Sequence, residues 1–253
     1  MTGFSVLLRK ELLEQWRTLR LPVIAAVFVV IGLGSPLLAR FTPELLEALG
    51  GAQFQIVLPP PTTADAVDQL IKNVSQFGIL VAVLLAMGSV ATEKERGTAG
   101  LILTKPASRG AFLFAKLVAI GGTLAVATFL AAAAAWFYTL ILFEALPVGG
   151  FAASALLQWL ALMVFAAITF LGSTLTRSAL AAAGIGVAAF IVIGVLSVFP
   201  SIAPYLPIGL GAPARALALG LPPGDVVGPV VANVALIGAM AGLSWLSFRR
   251  QEL

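Results

Sequence analysis

The sequence contains no cysteine and no histidine among its 253 residues. The lack of cysteine excludes a disulfide framework, a thiolate nucleophile and a cysteine metal site. The lack of histidine excludes Ser-His and Cys-His catalytic arrangements, HExxH zinc sites and histidine-ligated haem. The usual residues for catalysis within one polypeptide are therefore missing, and we expect no catalytic, cofactor-binding or metal-binding site on this chain.

Charged residues are also scarce, at 10% of the chain, whereas apolar residues make up 60%. A soluble domain carries roughly 25% charged residues because its surface faces water. The composition therefore predicts an integral membrane protein. The net charge of +4 comes without a basic run of the kind that binds nucleic acid, so we expect no nucleic-acid partner.

Six apolar windows are long enough to cross a bilayer, for which a helix needs about 20 residues. They cover residues 21–38, 74–92, 117–143, 151–175, 179–200 and 226–248. None of the 15 basic and 11 acidic residues lies inside a window, as expected because a charge at mid-bilayer is unfavourable. The predicted fold class is an all-α membrane protein with six transmembrane helices, forming a single transmembrane domain over residues 1–253.

The distribution of Lys and Arg predicts how the chain is oriented. Twelve of them lie in segments on the side of the N-terminus, and three, Arg40, Lys72 and Arg215, lie on the opposite side. Cytoplasmic segments carry the excess of basic residues. We therefore predict a multi-pass protein of the cell membrane with both termini in the cytoplasm, and the sequence pI of about 9.9 is compatible with a bacterial inner membrane.

An N-terminal amphipathic helix is predicted over residues 4–19. Its apolar face consists of residues spaced three or four apart, namely Phe4, Leu8, Leu12, Trp16 and Leu19. Such a helix lies in the headgroup region of the bilayer, so Leu8, Leu12 and Trp16 are candidate interfacial contacts. The helix is either a plain juxtamembrane anchor or a lever that docks a cytosolic partner.

Two segments on the side opposite the N-terminus contain fewer motifs that indicate a function. Residues 39–73 form a loop that is too small for a core of its own, and we expect it to cap the outer face. Residues 201–225 are largely apolar but are interrupted by proline and glycine. That segment is too interrupted to span and too apolar to stay in water, which favours a broken re-entrant or interfacial helical pair before the last span.

The segment between the second and third windows combines charges with several turn signals. Thr92 with Glu95 fits a capping box, and Gly97 suits a left-handed turn. Pro106 ends a short helix, and Ser108 is placed to cap the third span. From spacing alone, the segment is either a simple basic connector or a rigid element that transmits force from a soluble partner to two spans.

The same segment carries a resemblance to a known family. It contains the run Glu93 to Thr98, then leucines and a Pro-x-Ser-Arg sequence, and further on Lys116. This pattern resembles the permease subunits of type-2 ABC exporters. The N-terminal run of Arg9, Lys10 and Glu11, the six windows and the broken segment before the last window extend the resemblance over most of the chain.

The resemblance implies partners and an energy source. The permease would pair with a second copy or a homologue, and each permease would bind an ATPase subunit on the cytoplasmic side. The residues that would couple to that ATPase are Glu93, Glu95, Gly97, Thr98, Leu101, Leu103, Pro106 and Arg109. The sequence lacks a GxxxxGK[ST] phosphate loop, so ATP and Mg would be bound by the partner subunit.

The sequence is consistent with two functions. The first is a permease subunit, not itself an enzyme, that moves substrate by alternating access and is powered by a separate ATPase, in the direction of export. The second is a non-transport membrane scaffold or assembly factor that docks a cytosolic partner. An intramembrane enzyme is disfavoured because Asp225 lacks an intramembrane aspartate partner.

Overall fold

The structure, a computed structural model, describes residues 3–50, 60–98 and 108–251, with the backbone alone at 46–50. The helices are α1 (Phe4–Arg17), α2 (Arg20–Gly50), α3 (Thr63–Met87), α4 (Ala91–Glu95), α5 (Arg109–Leu142), α6 (Val148–Leu175), α7 (Ala179–Leu196), α8 (Gly211–Ala218) and α9 (Val227–Arg249). Two short 3-10 turns, Ala203–Tyr205 and Pro207–Leu210, precede α8.

Six helices within the described residues are long and apolar enough to cross a membrane: α2, α3, α5, α6, α7 and α9. The predicted all-α fold with six spans is therefore confirmed. The helices extend beyond the apolar windows, most in α2, which continues to Gly50, and α3, which begins at Thr63, so much of the predicted loop 39–73 is helical. Helix α5 has 34 residues and begins at Arg109. At 1.5 Å per residue α5 is about 51 Å long, so part of it projects beyond a hydrocarbon layer about 30 Å thick.

The bundle is organised around α6. Of its apolar window, 67% is buried inside the molecule, against 17% for α7 and for α9. The side chains of Leu162, Phe165 and Phe170 in α6 are almost completely buried, and the helix packs against α3, α5, α7, α8 and α9. Most of the surface of α7 and α9 is left to contact lipid or another chain.

Two glycines allow close contacts between spans. A Cβ added at Gly32 in α2 would overlap the carbonyl oxygen of Ala131 in α5. A Cβ added at Gly186 in α7 would overlap the hydroxyl of Thr169 in α6. These pairs bring the helix backbones together in the way that small residues do in membrane proteins.

Both ends of the described chain lie at the same end of the bundle. The side chain of Lys10 reaches Glu93, and that of Arg109 reaches Gln251. We name this end the terminal face; it consists of α1, α4, the first turns of α5 and the last turns of α6 and α9. Its assignment to the cytoplasm stays a prediction from the distribution of basic residues.

The opposite end holds the broken segment before α9. Asn233 of α9 is fully buried, and its amide donates to the carbonyl of Tyr205 at 3.2 Å. Leu210 is buried, and Arg215 of α8 forms an ion pair of 2.5 Å with Asp68 of α3. The segment is thus broken by two 3-10 turns and held against α3 and α9, while its re-entry into the bilayer stays a prediction.

Candidate functional site

Five of the eight residues predicted to couple to an ATPase lie on the terminal face. Glu93 and Glu95 belong to α4, Gly97 lies in the turn after it with φ of +69°, and Arg109 begins α5. Thr98 follows the turn, and its hydroxyl donates to the carbonyl of Glu93 at 3.2 Å. The other three, Leu101, Leu103 and Pro106, lie outside the described residues. The segment 93–98 is therefore the described part of the candidate site.

A cluster of charged side chains joins α1, α4 and α5. The Lys116 ammonium of α5, with 4% of its side chain exposed, lies 2.7 Å from Glu93 and 3.0 Å from Glu11. The Lys10 ammonium of α1 lies 3.0 Å from Glu11 and 3.4 Å from Glu93. We name these four residues the terminal ion cluster. Each lysine bridges the same two carboxylates, so the three helices are fixed to one another by charge-assisted contacts.

The α1 residues of this cluster have shifted pKa values. Burial would raise the pKa of Glu11, but the Lys116 ammonium and the hydrogen bonds from Lys10 and Lys116 outweigh it and lower that pKa below its usual value. Burial would lower the pKa of Lys10, but its hydrogen bond to Glu11 and the nearby carboxylates raise it above its usual value. Both groups are therefore charged at neutral pH, and their mutual contact is one between full charges.

One carboxylate oxygen of the cluster lacks a partner. Glu93 Oε2 is buried and has no hydrogen-bond donor in the part of the chain that the structure describes. A buried carboxylate oxygen without a donor is unfavourable. Glu93 therefore retains the capacity to accept a hydrogen bond from another molecule.

The start of α4 is tied to the end of α6. The hydroxyl oxygen of Ser173 accepts from the backbone N–H groups of Val90 and Ala91 at 3.0 and 2.9 Å. The Lys94 ammonium donates to the carbonyl of Thr174 at 2.7 Å. These bonds satisfy donors at the start of α4 and an acceptor at the end of α6, so a displacement of α4 would be passed directly to the central helix.

Arg109 ties the start of α5 to the end of α9. Its guanidinium donates to the carbonyls of Phe248, Arg249 and Gln251 at 3.3, 3.0 and 3.0 Å. The Gln251 amide in turn donates to the carbonyl of Thr174 at 2.9 Å. A cation at a helix C-terminus compensates the partial negative charge of the carbonyls there. Arg109 thus holds α9 in place, and its predicted contact with an ATPase stays a prediction.

The buried side of α1 is polar, and its apolar side is outward. Glu11 and Gln15 are buried against α5, where the hydroxyl of Thr123 donates to the Gln15 side chain. The sequence-based candidates Leu12 and Trp16 are 39% and 61% exposed, and Leu8 is half-buried. This arrangement leaves an apolar strip on α1 with no protein partner in the described chain, and its place in the headgroup region stays a prediction.

The surface around α4 is available to a partner. Glu95, Arg96 and Gly97 are exposed, whereas Glu93 is largely enclosed by Lys10 and Lys116. The exposed residues therefore present charges outward, and the enclosed carboxylate connects them to the rest of the bundle.

Lys116, Lys94 and Ser173 were not among the residues predicted for the site. Lys116 had a detectable signal, because a lone charge flanked by apolar residues at the start of a span needs a partner. Lys94 was one charge among several in a basic loop. Ser173 had no signal, because the backbone N–H groups that donate to its hydroxyl oxygen lie 83 and 82 residues away in sequence.

Comparison with known proteins agrees with this architecture. The family model described as "ABC-2 family transporter protein" matches residues 5–210. The chain is also 29% identical over 260 residues to "Uncharacterized transmembrane protein YxlG" of Bacillus subtilis (strain 168), covering 100% of this chain and 99% of that protein. The match includes α1, the first five spans and the terminal ion cluster, and the chain therefore belongs to the ABC-2 family of transporter membrane proteins.

Proposed function

We propose that this chain is the permease subunit of an ATP-driven exporter and that a separate ATPase subunit docks on the terminal face. The proposal rests above all on the terminal ion cluster, which joins the α4 segment to α1 and α5 through Lys116. A partner that pushes on the exposed turn at Glu95–Gly97 would displace Glu93 with it. In this proposal ATP and Mg are bound by the partner, since this sequence has no phosphate loop.

Two further connections support the transmission of force. Ser173 and Lys94 connect α4 to α6, and Arg109 connects the start of α5 to the end of α9. Helices joined by such hydrogen bonds move as units because packed cores are bistable and do not deform continuously. A rigid displacement at the terminal face would thus reach the three spans α5, α6 and α9, as alternating access requires.

The proposed complex contains two permeases, either two copies or a copy and a homologue. The large unburied surface of α7 and α9 supports this, because only 17% of each apolar window is buried within one chain. Gly238 and Gly242 of α9 have nothing within 4 Å of an added Cβ, which leaves room for a neighbouring helix. Native mass spectrometry of the purified complex should give two permeases with two ATPase subunits.

Docking is tested by co-purification. The tagged chain is expressed with ABC ATPase subunits from the same genome and purified in mild detergent, and the bound ATPase is quantified. Glu95→Arg should reduce the bound ATPase about tenfold, as expected for the loss of a charge-assisted contact at an interface. Glu144→Arg, at an exposed position after α5, is the matched control. Absence of any bound ATPase, or equal recovery with both variants, would contradict the proposal.

Alternating access is tested on the resulting complex. A cysteine introduced by S201C, at an exposed position of the opposite end, is labelled in proteoliposomes with a membrane-impermeant thiol reagent. The labelling rate should change when ATP and vanadate trap the ATPase. An unchanged rate with a bound and active ATPase would instead support the scaffold alternative.

A further inference from the structure

A cavity of about 770 Å³ opens on the terminal face between α1, α2, α3, α4 and α5. Cavities that bind small molecules range from about 300 to 1,000 Å³. The exposed edge of α4 that we assign to the ATPase includes Glu95 and Gly97, and neither lines this cavity. Arg96, which lies between them, and the coupling candidates Glu93 and Thr98 do line it. The cavity therefore adjoins the proposed docking surface and shares these residues with it.

One wall of the cavity is apolar and opens to the side of the bundle. Val23 and Val27 of α2 line it together with Leu84 of α3. These three side chains are 57%, 42% and 52% exposed, although both helices are spans. An apolar opening between two spans is accessible to the acyl chains of a lipid.

The rim of the cavity carries equal numbers of opposite charges. The acidic residues are Glu11, Glu14 and Glu93, and the basic ones are Arg20, Arg96 and Lys116. Lys116 is bound between two carboxylates. Arg20 and Arg96 have no acidic group within 4.0 Å among the described residues. Two arginines without a bound anion thus share one cavity with Glu93, whose Oε2 has no donor there.

We propose that this cavity binds a phospholipid whose headgroup carries both a phosphate and a primary ammonium, as in phosphatidylethanolamine. Arg20 and Arg96 would bind the phosphate, since guanidinium groups suit phosphate oxygens. The ammonium would donate to the Glu93 carboxylate, and the acyl chains would lie along Val23 and Leu84. The balance of charges on the rim favours a zwitterion over a net anion, and the site does not depend on the proposed transport function.

The headgroup chemistry is tested by native mass spectrometry of the purified chain titrated with three phospholipids. Phosphatidylcholine has the same charges as phosphatidylethanolamine but no N–H donor, and phosphatidylglycerol lacks the ammonium. Phosphatidylethanolamine should bind about tenfold more tightly than either, the factor expected for one charge-assisted hydrogen bond. Equal binding of all three lipids would overturn the proposal.

Variants locate the site. Arg96→Gln should weaken phosphatidylethanolamine binding about tenfold, and Glu93→Gln should remove the preference over phosphatidylcholine. Arg17→Gln and Glu144→Gln, at exposed positions that do not line the cavity, are matched controls and should change neither quantity. Val27→Trp should block the apolar opening without altering any charge, so lipid binding is lost even where Glu93→Gln fails to fold.

A second copy of the chain is the competing occupant of the opening. The sequence has no native cysteine, so V27C provides a single thiol at this wall. If the lipid occupies the cavity, this variant should form no disulfide-linked dimer through V27C under oxidising conditions in membranes. Efficient V27C dimer formation, or full lipid binding by Arg96→Gln or by Val27→Trp, would overturn the proposal.

Discussion

Lys116 occupies the most enclosed position of any charged side chain in the terminal ion cluster. Its ammonium lies within 3.0 Å of two carboxylates and 5.1 Å from the centre of the Phe112 ring. Removing one partner from a buried ion pair leaves uncompensated charge, which costs about 3–5 kcal/mol. At the scale of single residues, we therefore expect the stability of the terminal face to be most sensitive to substitution of Lys116.

Lys116→Met should lower the unfolding free energy by about 3 kcal/mol, at the lower end of the buried-pair range because both carboxylates retain some exposure. The thermal unfolding temperature in detergent, followed by tryptophan fluorescence, measures this loss. The triple variant Lys116→Met, Glu11→Gln and Glu93→Gln, in which both carboxylates are also neutralised, should recover part of the lost unfolding free energy. Lys72→Met, at an exposed position, is the control. An unfolding temperature equal to that of the unmodified chain would show that the cluster is not structural.

Arg109→Gln should loosen the last turn of α9. Three carbonyls lose their guanidinium donor, which costs about 1–2 kcal/mol in a partly buried helix end. Hydrogen exchange should become faster at the C-terminal end of α9, with little change in α2. Arg250→Gln, at an exposed position in the same region, serves as the comparison. Equal exchange in both variants would contradict the capping role.

At the scale of elements, local signals predicted some helix ends and missed others. Ser108 caps α5 by accepting from the N–H of Ala111, and Gly97 adopts the left-handed conformation, so both predictions are confirmed. The capping box at Thr92 is wrong, because α4 begins earlier, at Ala91. Ser173 from α6 satisfies the N–H groups there, and this tertiary bond leaves no sequence signal near α4.

The turn after α4 gives a prediction at this scale. Gly97 has φ of +69° and open space around an added Cβ, so strain alone decides the effect of a substitution. Gly97→Val should cost about 1–2 kcal/mol and misplace the segment that follows, whereas Gly97→Asn should be tolerated because asparagine visits this conformation. The ATP hydrolysis that accompanies transport in the reconstituted complex measures coupling. Equal coupling in both variants would show that the turn geometry is unimportant.

At the scale of the whole molecule, hydrophobicity predicted the six spans but not how they are tied together. Apolar windows located all six helices, although they missed extensions such as the first two turns of α5, where Lys116 interrupts the apolar run. The terminal ion cluster joins Glu11 to a lysine 105 positions later. Such pairing depends on the packing of α1 against α5, which charge spacing along one sequence does not specify.

The account as a whole depends on the terminal face lying in the cytoplasm, where an ATPase can reach it. Single thiols introduced by E95C and S201C mark the two ends of the bundle, since both positions are exposed and the native chain has no cysteine. A membrane-impermeant thiol reagent applied to spheroplasts should label S201C and leave E95C unlabelled, with the reverse pattern in inside-out vesicles. Labelling of E95C from outside intact spheroplasts would contradict the account.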